Sequence, residues 1–225
     1  MTLQHVVIVF QVIVFLFAIS VHESAHAYTA WKCGDPTAKM LGRVSLNPIR
    51  HIDPLGTVVL PLIAMVTHLP VIGWAKPTPV DPRNFKHEIR DDILTSVAGP
   101  VSNFLVASLA VICLAMISIT SSQGRMIVRG LPFGYVGEGS ALTPLALLLY
   151  QAMQINVLLG VFNLIPIPPL DGSHVLRHVL SAPLRQMYDR LGIVGLVLLI
   201  ALGGRILSTM MSPFIYFFNS LLMRV

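Results

Sequence analysis

The chain has 225 residues, of which 55% are hydrophobic and only 11% charged, well below the quarter expected of a soluble globular chain. That balance excludes a sizeable soluble domain and leaves room for about five helices of the ~20 residues needed to cross a hydrocarbon core of about 30 Å. The formal net charge is +5, but the basic residues stand singly between apolar segments, with no stripe or basic tail, which argues against nucleic-acid binding.

The first apolar run begins near Val6 and carries no charge before His22-Glu23-Ser24-Ala25-His26. It lacks a basic n-region and continues to Trp31 and Lys32, so it reads as a retained helix rather than a signal peptide. Positions four apart share a helix face, so both imidazoles can meet one zinc ion while Glu23 flanks the bound water. At 1.5 Å rise per residue the pair lies roughly 9 to 15 Å from Trp31 and Lys32, residue types that favour the headgroup level. The ligands are submerged but not central.

Residues 32 to 55 are polar and turn-rich, punctuated by Gly34-Asp35-Pro36, Gly42, Asn47-Pro48 and Asp53-Pro54 around Arg43-Val44-Ser45-Leu46. The pattern predicts small strands or a hairpin against the membrane. Val58 to Ile72 is apolar but short and contains Pro61 and Pro70, marginal for a full crossing. In Trp74 to Pro82 the prolines force an extended backbone. Further spanning segments are predicted from about Ile93 to Ile119, Leu142 to Ile165 and Leu191 to Leu207, and Pro213 to Leu222 reads as a half-helix or interfacial segment. Cys33 and Cys113 support neither a disulfide framework nor a cysteine zinc site. The fold class expected is an all-α multispanning membrane protein with about five transmembrane helices, a re-entrant segment and short membrane-associated β-strands. Residues 1–225 form a single integral-membrane domain on this reading.

Two histidines leave a catalytic zinc one protein ligand short, since such sites take three and keep a fourth position for water. The best candidate is Asp171, in Asn163-Leu164-Ile165-Pro166-Ile167-Pro168-Pro169-Leu170-Asp171-Gly172. Its three prolines destroy the helical ladder, and hydrocarbon tolerates the freed backbone groups only where they are buried in protein or line a wet cavity. An acidic residue beside such a break is a functional-site hypothesis; the plainer reading is an interfacial helix stop. His174 and His178, also four apart, form an alternative metal pair or replacement ligand, though their segment is more polar and Arg177 lies between them. His51 suits a carboxylate or backbone carbonyl near the site, and His5, His68 and His87 read as interfacial or loop residues.

Topology supplies an independent test. Asp171 can join the histidines only if an odd number of crossings separates the two segments; residues 93 to 119 supply one, so residues 58 to 72 either re-enter and return on the same side, as the charges suggest, or are paired with a second crossing. With re-entry, Lys32, Lys39, Arg43, Arg50, Lys76, Arg83, Lys86 and Arg90 share a face with Arg177, Arg185 and Arg190, while Arg125 and Arg129 lie opposite. By the positive-inside rule the crowded face is cytoplasmic, and the site of a multi-pass cell-membrane protein opens towards it.

Taken together, His22 to His26, Gly42-Arg43-Val44-Ser45-Leu46-Asn47-Pro48 with His51 to Gly56, Gly73-Trp74-Ala75-Lys76-Pro77, Ala98-Gly99-Pro100-Val101-Ser102-Asn103 and the Asn163 to Gly172 run make the chain resemble a minimal member of the site-2 protease family of intramembrane zinc metalloproteases. No stretch is long enough for the PDZ domain some members carry, and no cystathionine-synthase-type pair is seen. The resemblance implies one Zn2+ per chain held by His22, His26 and Asp171, with Glu23 as general base, the same assignment the residues suggest on their own. Glu23 then takes a proton from the zinc-activated water and delivers it to the leaving amine. An oxyanion needs a further donor in a dry site, for which Asn163 and Asn103 are the candidates. The plainer reading of each is a polar residue stapling two helices, worth about 0.6 kcal/mol.

The substrate implied is a membrane-spanning protein within the lipid bilayer, cleaved where its helix unwinds. The stretch from Gly73 to Val80 is the candidate edge for strand addition, or else a proline-stiffened loop. The competing classes are a membrane metal transporter or sensor, which needs ligands but no general base, and a catalytically silent scaffold.

Overall fold

The computed structural model describes residues 3–59, 75–135, 140–202 and 204–224. Eight α-helices are seen among them: α1 (Leu3–Cys33), α2 (Thr37–Met40), α3 (Glu88–Thr120), α4 (Ser122–Gly130), α5 (Leu142–Asn163), α6 (Gly172–Val179), α7 (Ala182–Leu202) and α8 (Gly204–Arg224). The described residues contain no strand. Three helical stretches, His5–Cys33, Glu88–Thr120 and Leu142–Asn163, are long and apolar enough to cross a membrane. Even the shortest, with 22 residues, extends about 33 Å at 1.5 Å per residue. α1 is rich in Val, Ile and Phe, mediocre helix formers in water. In hydrocarbon the helix wins because every amide must find its partner within the segment.

The chain divides into two compact units, residues 19–99 and residues 1–18 together with 100–225. In the first, α1 ends where Gly34 takes φ +118°, and the amide of Asp35 donates back to the Ala30 carbonyl at 2.9 Å, a glycine-assisted helix stop. Gly42, at φ +69°, closes α2 in the same way, with Arg43 N–H reaching the Ala38 carbonyl at 2.9 Å. Lys39 Nζ lies 3.5 Å from the centre of the Trp31 ring and Lys32 Nζ 4.6 Å, a cation–aromatic cluster of the kind expected at a headgroup boundary.

The strand or hairpin expected near Arg43 to Leu46 is absent among the described residues, because local side chains take over the backbone groups. Ser45 Oγ accepts from Asn47 N–H at 3.2 Å, Asn47 Oδ1 from Ile49 N–H at 3.1 Å, and the His51 ring binds the Ser45 carbonyl. Asn47 thereby caps a 3₁₀ turn over Pro48–Arg50. Pro54–Val59 forms a π-helical turn; the rest of the expected re-entrant segment lies outside the described residues.

In the second unit the core is built from α3, α4, α5 and α8, with Leu114, Val128, Met153, Val157 and Leu222 essentially inaccessible. The opposite face of α3 carries Leu105, Leu109, Ile112 and Met116, each more than half exposed. Their helical spacing makes an apolar stripe of the kind lipid covers. Ser121 Oγ caps α4 by accepting from Gly124 N–H at 2.8 Å. The segment expected to be a half-helix from Pro213 is part of the 21-residue α8, with Pro213 inside it. α7 starts earlier than the predicted Leu191, because Arg185, Asp189 and Arg190 occupy a helical first half rather than a loop.

Candidate metal centre

α1 carries His22, Glu23 and His26 on adjoining faces at its C-terminal half. The two imidazoles meet edge to face, ring centres 4.6 Å apart, and their Nε2 atoms lie 3.0 Å from each other. Both rings are buried, each 7% exposed. His26 Nδ1 sits 2.7 Å from the Thr95 carbonyl, an acceptor only, so Nδ1 bears the proton and the Nε2 lone pair points at the neighbouring ring. A backbone carbonyl fixing the far nitrogen is the usual support of a metal-binding histidine. At Zn–N bonds of 2.0–2.1 Å in tetrahedral geometry two such nitrogens would stand about 3.3 Å apart. The pair fits zinc with little adjustment.

Space for that pair comes from Gly99 on α3. A methyl group on its Cα would stand 2.6 Å from both Cε1 and Nε2 of His22 and would collide with His26 Nε2. The residue next along, Pro100, has no N–H to offer the Ser96 carbonyl, so this part of α3 combines a minimal side chain with an interrupted ladder.

Glu23 is held from the other side by an extended segment, residues 75–81. Thr78 N–H donates to Glu23 Oε2 at 2.9 Å, and the Thr78 hydroxyl lies 2.7 Å from the same oxygen. Arg43, only 4% exposed, donates to the carbonyls of Arg50, Lys76 and Pro77, the last at 2.8 Å. Burial lowers the Arg43 pKa, and the attraction of Glu23 opposes that shift. His51 is buried as well, and its Nε2 donates to the Ser45 carbonyl at 2.7 Å; burial pushes its pKa below the ordinary histidine value. The sequence therefore anticipated a carbonyl partner for His51 but not the grip of Thr78 on Glu23. The signal was present in Pro77-Thr78-Pro79, where one residue alone has an amide to give.

Those bonds also bear on strand addition at Gly73 to Val80. Gly73 and Trp74 lie outside the described residues. From Lys76 to Pro79, the Lys76 amide is taken by the His51 carbonyl at 2.9 Å and the Thr78 amide by Glu23, while Pro77 and Pro79 have none. The stretch reads as a stiffened strap rather than a free edge.

The remaining candidates belong to the other unit. Asp171 follows the Pro166–Pro169 break, which contains a cis Pro168–Pro169 bond. It heads α6, but its carboxylate makes no cap to that helix, unlike an ordinary acidic helix start. Gly172 beside it packs onto the backbone of Leu164 and Ile165. Asn163 is half-buried and donates one amide hydrogen to the Leu159 carbonyl at 3.0 Å. Asn103 is completely buried; its Nδ2 donates to Asn156 Oδ1 at 2.8 Å and approaches the Ala18 carbonyl at 3.4 Å. Both its hydrogens are engaged, the arrangement of a helix staple. Arg177 pairs with Asp189 at 3.1 Å.

Paired histidines and a glutamate on a membrane-length helix are a donor set of the kind a metallohydrolase uses. Comparison with known proteins agrees: the model of peptidase family M50 matches residues 10–202, and the chain belongs to that family, the site-2 proteases. It is 34% identical over 191 residues to YwhC of Bacillus subtilis (strain 168), covering 85% of this chain and 78% of that one. It is 29% identical to Rip2 of Mycobacterium tuberculosis (strain ATCC 25618 / H37Rv), covering 72% of this chain and 54% of that one. With zinc metalloprotease MJ0392 of Methanocaldococcus jannaschii it shares 25% identity over 75% of this chain and 34% of that one. The chain thus spans most of YwhC but about half of Rip2. No solved structure matches it. The protein is a zinc-dependent metalloprotease with apolar, membrane-length helices.

Proposed function

We propose that this protein is an intramembrane zinc endopeptidase that hydrolyses peptide bonds in or near the transmembrane segments of other membrane proteins, as in regulated intramembrane proteolysis. The observation that carries the reading is the convergence of the His22 and His26 Nε2 atoms, 3.0 Å apart, on a helix long and apolar enough to lie in a bilayer. His22 and His26 are the first two zinc ligands, and Asp171 is proposed as the third. Its support is its place in the proline-broken motif, inside the family match, and a carboxylate not spent on capping α6. When bound, zinc supplies a Lewis acid that lowers the pKa of water towards 7 and polarises a peptide carbonyl. Glu23 takes the proton of the attacking water and returns it to the leaving amine. Asn163, with one amide hydrogen engaged in its own helix, is the preferred oxyanion donor. Asn103 is assigned the structural role.

The protein is proposed to be a multi-pass cell-membrane protein whose site opens to the cytoplasmic side, on the charge asymmetry of its loops. Its partners are the lipid bilayer and a membrane-spanning substrate. The test uses purified, zinc-loaded protein and a panel of single-span substrates. Glu23→Gln is expected to retain zinc and lose cleavage. Cleavage at the normal rate by that variant would remove the general base and with it the protease mechanism, leaving the ion-transport or sensing class.

A further inference from the structure

The strap from residue 75 to residue 81 is tied to its own unit on both sides of Thr78. On one side the Lys76 amide donates to the His51 carbonyl, and Arg43 gathers the carbonyls of Lys76 and Pro77 while also holding that of Arg50. On the other side Asp35 Oδ2 accepts the Asp81 amide at 2.8 Å. Between these ties Pro77 and Pro79 fix the backbone, and within Pro77-Thr78-Pro79 only Thr78 has an N–H to give. Its N–H and hydroxyl both address Oε2 of Glu23, at 2.9 and 2.7 Å. The hydroxyl also lies 3.1 Å from the Glu23 carbonyl, but the charged oxygen is the stronger acceptor. Among the described residues no hydrogen bond is made to Oε1.

We infer that Thr78 is a positioning residue for Glu23: it fixes one carboxylate oxygen so that the other faces the attacking water, and Arg43 acts through the strap to set Thr78. The inference rests on the reading of Glu23 as the general base. A carboxylate on a flexible stem has many rotamers, and a misplacement of about 1 Å at a reacting group can cost about 100-fold in rate. Two donors on one oxygen, delivered by a proline-stiffened strap, remove that freedom before substrate arrives. Arg43 touches neither Glu23 nor substrate in this scheme. Its buried guanidinium engages three carbonyls, which converts an extended loop into a fixed platform.

The experiment compares full-length, zinc-loaded wild type with Thr78→Val, Thr78→Ser, Arg43→Gln and Glu23→Gln on one single-span substrate. Thr78→Val removes the hydroxyl at nearly constant volume and is expected to lower kcat by about 10–100-fold, the usual effect of losing a supporting hydrogen bond, with KM and zinc content unchanged. Thr78→Ser should restore most of the rate, and Arg43→Gln should reproduce the kcat loss. A second readout does not use activity: deuterium uptake by the peptide spanning residues 75–81 is expected to rise in Glu23→Ala, and in Arg43→Gln, relative to wild type. A wild-type or raised kcat in Thr78→Val, a change confined to KM, no rescue by serine, or unaltered deuterium uptake overturns the inference. If Thr78→Val cleaves normally while Glu23→Gln is inactive, the positioning role alone falls. If Glu23→Gln itself cleaves, the general-base reading falls.

Discussion

Gly99 lies so close to His22 that a methyl group on its Cα would stand 2.6 Å from the imidazole Nε2. No carbon–nitrogen contact survives at that distance, so Gly99→Ala must displace the ring or the helix that carries the glycine. Because the clash includes His26 as well, both imidazoles are pushed from the geometry in which their Nε2 atoms converge. Zinc affinity is expected to fall by about 10–100-fold, as when other supports of a metal ligand are lost. Chelator competition on the purified protein measures it, and wild-type affinity in Gly99→Ala would show that the approach is not needed.

The two asparagines singled out as oxyanion donors separate by where their hydrogens go. Asn103 spends both on Asn156 and Ala18, so Asn103→Leu is expected to lower stability by about 0.6–1.7 kcal/mol, the range for membrane helix staples, with the cleavage rate per folded molecule kept. Asn163→Ala is expected to lower kcat by about 100–1,000-fold, the usual cost of an oxyanion donor. Thermal melting and kcat measured on both variants check the assignment; the reverse pattern exchanges the two roles.

How far the sequence could carry this reading is clear from particular residues. The convergence of His22 and His26 beside Glu23 was legible because helical period alone brings residues four apart onto one face, which needs no tertiary information. The long apolar runs were legible because the bilayer leaves a helix few alternatives. Thr78 and Thr95 were not, since a contact 55 or 69 residues away in sequence leaves no local trace. The expected strand near Arg43 failed for a related reason: turn residues bounding a short stretch suggested a hairpin, but Asn47, Ser45 and His51 satisfied the backbone locally.

Gly172 offers a test on the other motif. A Cβ there would collide with the Leu164 carbonyl oxygen and stand 2.6 Å from its carbon and 2.9 Å from the Ile165 carbonyl oxygen. These are backbone atoms of the segment leading into the proline break, which cannot swing aside as a side chain can. Gly172→Ala is therefore expected to cost about 1–3 kcal/mol of stability and to shift Asp171, the adjacent residue. Zinc stoichiometry and melting temperature measured together decide it. A stable variant with full zinc would mean that the turn tolerates movement and that Asp171 does not depend on it.

Asp35 gives the strap a pH dependence. Its carboxylate is buried, which by itself raises the pKa, but donors from the Thr37 side chain, the Asp81 amide, Asn84 and the Thr37 amide hold it below the usual carboxylate value. A carboxyl whose folded pKa is depressed contributes stability that is present above its unfolded value of about 3.9 and lost as pH falls through the folded one. Asp35→Asn keeps one acceptor oxygen but turns an NH₂ towards a donor, leaving a buried hydrogen unsatisfied at a cost of about 1–3 kcal/mol. The melting temperature of wild type should therefore exceed that of Asp35→Asn by a constant margin between pH 5 and 7, and the margin should shrink below about pH 4, where the unfolded chain's Asp35 takes up a proton before the folded one does. A margin that stays constant down to pH 3 would mean that Asp35 holds Asp81 and Asn84 by shape rather than by charge.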